Sequence, residues 1–419
     1  MKTEVAVVGG GPAGLAAALA ASETVSVVLL ERERELGGIL PQCIHHGFGN
    51  FIFDRMMTGP EYAQHFIDRV EQSGIDVHTE TAVLSLSDDR TLTAVSPREG
   101  IMSIDARSVI LAMGCRERTR NQILLPGTRP AGVYTAGTAQ RLINVEGAMP
   151  GKTVVILGSG DVGLIMARRF TLEGATVRGV YEIMPSPGGL TRNVVQCLED
   201  YDIPLHLSHT VTAVHGSRRL RAVTVSAVDE EMNPLPGTET TVPCDTLVLA
   251  VGLIPENELS RQARIAMDGR TGGAVVEEHM ETSVPGIFAC GNVVHVHDVV
   301  DDVTVAGGTA GRHAAQFARR PPRARPRPIE VRAGRNVRYV VPQVLRHLDE
   351  DTATLYFRVQ ETEHRVVCAV VDQDTGAVFH RGKQPVVRPP EMVSLTVPTS
   401  DLKNVETNIL VHVRKEEHA

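Results

Sequence analysis

Residues 5–19 read Val5-Ala6-Val7-Val8-Gly9-Gly10-Gly11-Pro12-Ala13-Gly14-Leu15-Ala16-Ala17-Ala18-Leu19, and the fold is decided there. Four consecutive apolar residues suit a parallel strand buried on both faces. The glycines that follow stand as Gly9-x-Gly11-x-x-Gly14, with Pro12 and Ala13 inside the loop and an alanine-rich helical segment behind it. The three glycines serve different ends. Gly9 allows the tight turn, Gly11 lets the backbone approach a pyrophosphate, and Gly14 lets the helix pack on the strand. The free N–H groups and positive dipole end of that helix face the phosphates. A second strand, 25–30, ends at Glu31, with Arg32 next to it. An acid there can take a ribose 2′-hydroxyl. Strand, loop, helix, strand and acid in this order predict a dinucleotide-binding unit.

The order returns further along. A strand at 153–157 runs into Gly158-x-Gly160-x-x-Gly163, a helix at 162–173, a strand at 176–181 and then Glu182. Two copies mean two dinucleotide sites. Glu182 would repel a 2′-phosphate and favours NAD over NADP, and Arg178 within the strand does not reverse this. Between the copies lie a helix at 60–72 with Tyr62, Phe66 and Val70 on one face, short alternating strands over 76–104, and a buried strand ending in Ala112-Met113-Gly114. The strand at 246–251 ends in Gly252 in the same manner, as two related crossovers between domains would.

A glycine-rich loop from Leu36 to Gly49 carries Gly38, Cys43, His45 and His46, which suggests close approach to a ligand. Pro285 to Asn292 reads as a strand ending in Gly291 and a polar side chain, followed by His295, His297 and a small-residue helix at about 304–317. The Pro/Arg run 319–328 reads as a stiff, solvated linker, and the rest as short strands of a small β-sandwich or barrel. The expected domains are 1–116 and 254–318 for the first dinucleotide, 117–253 for the second, a linker at 319–329 and a β module at 330–419. The fold class is therefore α/β: two Rossmann-like domains, one inserted in the other, plus a small C-terminal all-β domain.

Bulk properties narrow the function. The chain has 419 residues, enough for two or three domains. A net charge of −8 gives no general attraction to nucleic acid or acidic membranes. With 4% aromatic residues and no Trp, a base-stacking surface is not expected. The six cysteines lie apart without a CxxC pair, which argues against a disulfide framework, a zinc site or a cysteine-ligated iron–sulfur cluster. The first strand begins almost at once, and glycines and Pro12 interrupt the apolar region after it, so neither a signal peptide nor a membrane span is expected. A cytoplasmic protein follows.

Together these landmarks resemble the two-dinucleotide-fold flavoproteins of the pyridine nucleotide-disulfide oxidoreductase superfamily, over residues 1 to about 318. The resemblance implies FAD at the first loop, held by Gly9, Gly11, Pro12, Ala13, Gly14, Glu31, Arg32, Gly38, Ala112, Gly114, Gly291 and Asn292. It implies NAD(P) at the second, with Gly158, Gly160, Gly163, Glu182 and Gly252. The segment 286–292 would lie along the FAD ribityl chain, and the helix after it would point at the flavin pyrimidine edge. Two departures stand out. The paired cysteines of the disulfide reductases are missing, and Asn292 replaces the usual acid, an exchange that keeps hydrogen bonding and loses charge. The segments GGILPQCIHHGFG, TGPEYA, EIMPSPGGL and CGNVVHVHD are similar to a narrower group: the FAD subunits of sarcosine oxidase, opine oxidase and cyanide synthase type, and the oxidoreductase of bacterial glycerol-3-phosphate operons. Members of that group commonly work with a second flavoprotein subunit.

For this chain the implied activity is hydride transfer between NAD(H) and flavin, with electrons passing to or from a partner flavoprotein dehydrogenase of glycerol-3-phosphate or amine type. The alternatives are a self-sufficient amine or hydroxy-acid dehydrogenase and a non-catalytic redox sensor or scaffold. Asp302 is expected to cap the helix aimed at the flavin. Cys43 could be a thiolate if His45 lowers its pKa, the competing reading being a small buried thiol. Cys43, His45 and His297 are the catalytic candidates, and His46 and His295 are further proton donors in principle. These histidines offer no ligand spacing for a metal.

Overall fold

The computed structural model describes all residues except 321–327, 403–404, 406–407 and 417–419. Most of the expected Pro/Arg linker lies outside the described residues. The chain divides into two compact units: residues 1–41, 46–115 and 255–419 form one, and residues 42–45 and 116–254 the other.

The first unit is built on a parallel sheet in which Lys2–Val8 lies between Val27–Leu30 and the end of Gly100–Leu111. Val5 pairs with Val27 on one side and Ser108 on the other, so the quoted apolar run has neighbours on both edges. Asp76–His78 and Ile287–Ala289 extend the parallel part, while Ala82–Leu86 and Thr91–Ser96 add an antiparallel arm. The arm's strand and the buried strand are one twelve-residue element, Gly100–Leu111, rather than two. Its burial alternates over the arm and becomes continuous from Ser108, where both faces are covered.

Helix Pro12–Ser22 starts directly after the glycine loop and buries nearly every residue, its alanines allowing close neighbours. Helix Gly59–Glu71 begins with a capping box in which Thr58 and Glu61 exchange hydrogen bonds, and it buries Tyr62, Phe66 and Val70. The long helix Val300–Arg319 packs along Pro12–Ser22 with glycines at the seam. After the undescribed stretch the chain forms two sheets of five and three strands around an apolar core that includes Leu355, Phe357, Val370 and Val411. Tyr339 and Val341 of this β module join the apolar cluster under the first sheet.

The second unit repeats the architecture. Thr153–Leu157 lies centrally in a five-stranded parallel sheet beside Thr176–Glu182 and Thr246–Leu249, and helix Asp161–Leu172 follows the second glycine loop. A three-stranded antiparallel sheet, 209–243, completes it. Helix Ala136–Asn144 is an addition to the elements expected from the sequence. Its signal is Ala136, Ala139, Gln140 and Ile143 at helical spacing, all buried.

Candidate functional site

The three glycines of each loop are glycines for different reasons. Gly9 has φ +103°, and a Cβ there would meet the Ala112 carbonyl oxygen at 2.5 Å; one on Gly14 would stand 1.8 Å from the Gly9 oxygen. In the second loop Gly158 has φ +96° and would meet the Ala250 oxygen at 2.2 Å, and Gly163 would meet the Gly158 oxygen at 2.6 Å. Packing alone demands glycine at these four positions. The middle glycines are otherwise. Gly11 (φ −78°, ψ −174°) and Gly160 (φ −63°, ψ 160°) have backbone that any residue adopts. Their nearest would-be neighbours are the Gly38 Cα at 3.7 Å and the Ala250 oxygen at 3.9 Å, ordinary contacts. Each is the N-cap of its helix, and no side chain caps either helix. Open space therefore lies beside helix N–H groups that no side chain has claimed, which fits a pyrophosphate in both halves.

The two acids repeat as well. Glu31 is buried, with one carboxylate oxygen accepting from the Gly10 N–H at 2.6 Å and the other from the Glu33 N–H at 2.8 Å. Glu182 accepts from the Ser159 N–H and hydroxyl at 2.8 and 2.6 Å and, through its other oxygen, from the Met184 N–H at 2.9 Å. Each carboxylate is thus fixed against its own loop by hydrogen bonds to both of its oxygens. Ser159 also accepts from the Gly188 N–H at 2.8 Å, and Asp161 from Leu190 N–H and the Asn193 amide, so the segment 188–193 is tied to the second loop.

Around the first loop, Gly38 (φ +60°) would place a Cβ 2.9 Å from the Gly11 Cα, and the Gly37 N–H donates to the Gly10 oxygen at 2.8 Å. The glycine-rich stretch thus packs against the first glycine loop. Gly291 (φ +74°) would contact Ala13 at 2.9 Å, while Gly114 (φ +70°) faces open space. Arg32 is exposed. In the second unit Gly252 (φ +101°) accepts at its oxygen from the Arg118 N–H at 3.0 Å.

Asn292 is held by its neighbours: its oxygen accepts from the His297 N–H at 3.0 Å and faces His297 Nδ1 at 3.2 Å, and its amide nitrogen donates to Cys115 Sγ at 3.7 Å. Burial pushes His297 down to about 4, with Arg358 adding to the effect against a hydrogen bond that the ring donates to the His295 backbone carbonyl. His297 is therefore neutral at pH 7 and can offer a hydrogen bond but not an imidazolium proton. His295, its ring centroid 4.1 Å from that of His297, is buried and is held well below the usual imidazole range for the same first reason. His46 lies exposed on a short strand, and His45 is half-buried.

Cys43 sits with the helix Ala136–Asn144, its Sγ 3.8 Å from the Gln140 oxygen. Gln42 donates to the Gly137 and Gln140 oxygens at 2.9 Å, and Asn144 donates to the Gln42 oxygen, which fixes this segment on the helix. Burial pushes the Cys43 thiol up to about 12, so it is protonated at neutral pH and a poor nucleophile. None of the six cysteines is joined in a disulfide. Accordingly, Cys43→Ser is expected to leave flavin reduction by NADH within about tenfold, ~1.4 kcal/mol in barrier. NADH titration should deliver two electrons per flavin; uptake of four would place a thiol pair in the path.

Asp302 does not cap the long helix. The helix begins two residues earlier, at Val300 with Val299 as N-cap, because the valines there face the core and carry the helical pattern past the acids. Asp302 lies in the first turn, where burial, followed by the charges of Asp301 and Asp298, raises its carboxyl. Asp301, which carries no signal in the sequence, holds the glycine-rich loop by accepting from the N–H groups of Gly49, Phe51 and Ile52 at 3.2, 3.2 and 2.9 Å. Tyr62 ties the same helix start through Thr304, 2.7 Å away. Among the described residues no helix is long and apolar enough to cross a membrane.

Comparison with known proteins agrees with this geometry. Residues 3–310 match the family model described as pyridine nucleotide-disulphide oxidoreductase. The hydrogen cyanide synthase subunit HcnB of Pseudomonas protegens (strain CHA0) is 26% identical over 346 residues, covering 76% of this chain and 70% of that protein. An opine oxidase subunit of Agrobacterium tumefaciens (strain Ach5) is 25% identical over 339 residues, covering 76% of this chain and 64% of its own length. The thioredoxin reductase of T. acidophilum superposes with a TM-score of 0.61 at 22% identity, over 76% of this chain and 99% of that one. That likeness concerns the fold.

Proposed function

The chain belongs to the pyridine nucleotide-disulphide oxidoreductase family, flavoproteins that use FAD and NAD(P), and on that premise we propose that it moves a hydride between NAD(H) and flavin as one subunit of a larger electron-transfer enzyme. The observation that carries the proposal is the duplicated middle glycine: Gly11 and Gly160 are free of any packing demand, and each leaves room at a helix N-terminus. Two dinucleotides need two such clearings.

When bound, flavin supplies two-electron hydride chemistry that can be relayed onward. The residues around the first loop bind and orient it: Glu31 takes the adenosine ribose, Gly38 and Gly291 close on the chain, and the start of helix Val300–Arg319 offers N–H groups and a positive dipole end. Asn292 contributes its amide to the ribityl position without a charge. In the second unit Glu182 takes the ribose of NAD and disfavours a 2′-phosphate. Cys43 takes no part in the transfer, because burial keeps its thiol protonated.

A second subunit is supported by the relatives, which are subunits of a cyanide synthase and an opine oxidase. It is also supported by Ile39, Phe51, Ile52 and Met56, large apolar side chains left exposed along the glycine-rich segment. Such a surface suits a flavoprotein dehydrogenase that supplies or receives electrons, in the cytoplasm.

Anaerobic mixing with NADH should bleach the flavin rapidly, and NADPH should do so more slowly. Gly160→Val should retain full flavin and lose at least about a hundredfold in reduction rate at limiting NADH, ~2.7 kcal/mol. Bleaching by an amine or hydroxy acid alone, with NADH inert, would favour the self-sufficient dehydrogenase. A flavin that neither reduces would leave a sensor or scaffold.

A further inference from the structure

Far along the chain from either glycine loop, the turn 277–281 meets the segment 344–350 of the β module and His313 of the long helix. Glu277 bridges to Val344, and the Glu278 carboxylate accepts from the N–H groups of Arg346, His347 and Leu348 at 2.6–3.0 Å. These bonds fix the two segments together. Between them His279 lies stacked, with His313 on one face at 3.6 Å between ring centroids and His347 on the other at 4.4 Å, the planes within 11° of parallel.

Glu277 is 2% exposed. One of its oxygens accepts from the Glu281 N–H at 2.8 Å, while Oε2 has no hydrogen-bond partner and stands 3.6 Å from His347 Nε2. Ligand atoms of Glu277, His279 and His347 all lie within 4.8 Å of one another. Asp349 Oδ1 is 2.9 Å from His279 Nε2, and Glu350 is 3.4 Å from His313 Nε2.

We propose that Glu277, His279 and His347 bind a divalent transition-metal ion, zinc by preference, and that this ion staples the β module to the dinucleotide-binding domain. Two imidazoles and a carboxylate form the mixed nitrogen and oxygen donor set that zinc takes in tetrahedral geometry, and they lack the oxygen-only shell that calcium or magnesium requires. A buried carboxylate oxygen without a donor costs free energy, and a bound cation supplies what the protein does not. The surroundings agree in sign, since Asp349 and Glu350 stand against His279 and His313 and Glu278 adjoins Glu277. Asp349 supplies the outer carboxylate that orients a ligating imidazole. Ligand distances of ~2.0–2.1 Å put tetrahedral donors roughly 3.4 Å apart, so binding turns the His279 and His347 rings out of parallel until their in-plane lone pairs meet at one ion.

The experiment uses the full-length holoprotein without an affinity tag, purified without chelator and analysed by inductively coupled plasma mass spectrometry. About one zinc per chain is expected. Glu277→Gln and His347→Ala should fall below about a tenth of that while keeping their flavin. A readout independent of these variants is the wild-type protein stripped with a strong zinc chelator: its melting temperature should fall by several degrees and recover on adding zinc. Cobalt added to the stripped protein should give the absorption bands of a tetrahedral nitrogen and oxygen site. Stripped wild-type protein that binds neither zinc nor cobalt, or His347→Ala protein that binds either as well as wild type, would overturn the proposal.

Discussion

Gly11→Val is expected to give a folded but colourless protein. Its backbone is already in a region open to valine, and a Cβ there would meet nothing nearer than the Gly38 Cα at 3.7 Å. The added methyls occupy the clearing at the N-terminus of helix Pro12–Ser22, where the FAD pyrophosphate is proposed to lie. An anion displaced from those N–H groups loses its main anchor, so flavin affinity should fall at least about a hundredfold, ~2.7 kcal/mol. Far-UV circular dichroism and sedimentation should stay those of the wild type, while the flavin absorbance of the purified protein disappears. Gly14→Val is the contrasting case: its Cβ would stand 1.8 Å from the Gly9 oxygen, a backbone atom that cannot yield, and no folded protein is expected. A yellow Gly11→Val protein with normal flavin content would remove the first loop as the FAD site.

Two adjacent glycines of the long helix, Gly307 and Gly308, should respond with opposite signs. A Cβ on Gly307 would stand 2.3 Å from the Ala13 oxygen, and one on Gly311, a turn later, would stand 2.2 Å from the Ala17 oxygen. Helices Val300–Arg319 and Pro12–Ser22 therefore touch backbone to backbone, and any side chain at the seam drives them apart. Overpacking of this kind costs ~3 kcal/mol or more. For Gly307→Val that means a melting temperature lower by roughly 6–12 °C, or protein found only in the insoluble fraction. Gly308 points elsewhere, and its Cβ would meet only the end of the Arg312 side chain at 3.5 Å. Gly308→Ala should thus gain the ordinary helix preference of alanine, ~0.5–1 kcal/mol. Differential scanning calorimetry of the two variants tests the seam directly; equal shifts in the same direction would contradict it.

The parts of this molecule that are legible in the sequence are those whose cause is local. A glycine loop between a buried strand and a helix declares itself within fifteen residues, and its repetition around Gly158 makes the second unit readable too. Two Rossmann-like domains and a small β module follow from such signals. What stays hidden depends on partners distant in the chain. Nothing near Asp301 in the sequence announces that it holds Gly49, Phe51 and Ile52. Asp302 reads as the cap because the alanines and glycines after Thr304 are a plainer helix signal than the valines before it. His297 and Cys43 show the other limit. Their residue types suggest proton and electron chemistry, but protonation is set by burial, which sequence spacing does not report. The cluster of Glu277, His279 and His347 is hidden because its third member comes from the β module, distant in the chain.

Arg358 of the β module is largely buried and pairs with Asp298, whose carboxylate also accepts from the Met392 N–H. The same guanidinium donates to the Val296 oxygen at 3.2 Å and to the Tyr339 hydroxyl at 3.2 Å. Seen as a question of modularity, this ion pair means that the tail is not an interchangeable cassette. A chimera joined near residue 320 to a tail lacking that arginine would leave the half-buried Asp298 without its counter-charge, a defect of about 1–3 kcal/mol. Recombination would therefore preserve core and tail together, or replace both charges at once.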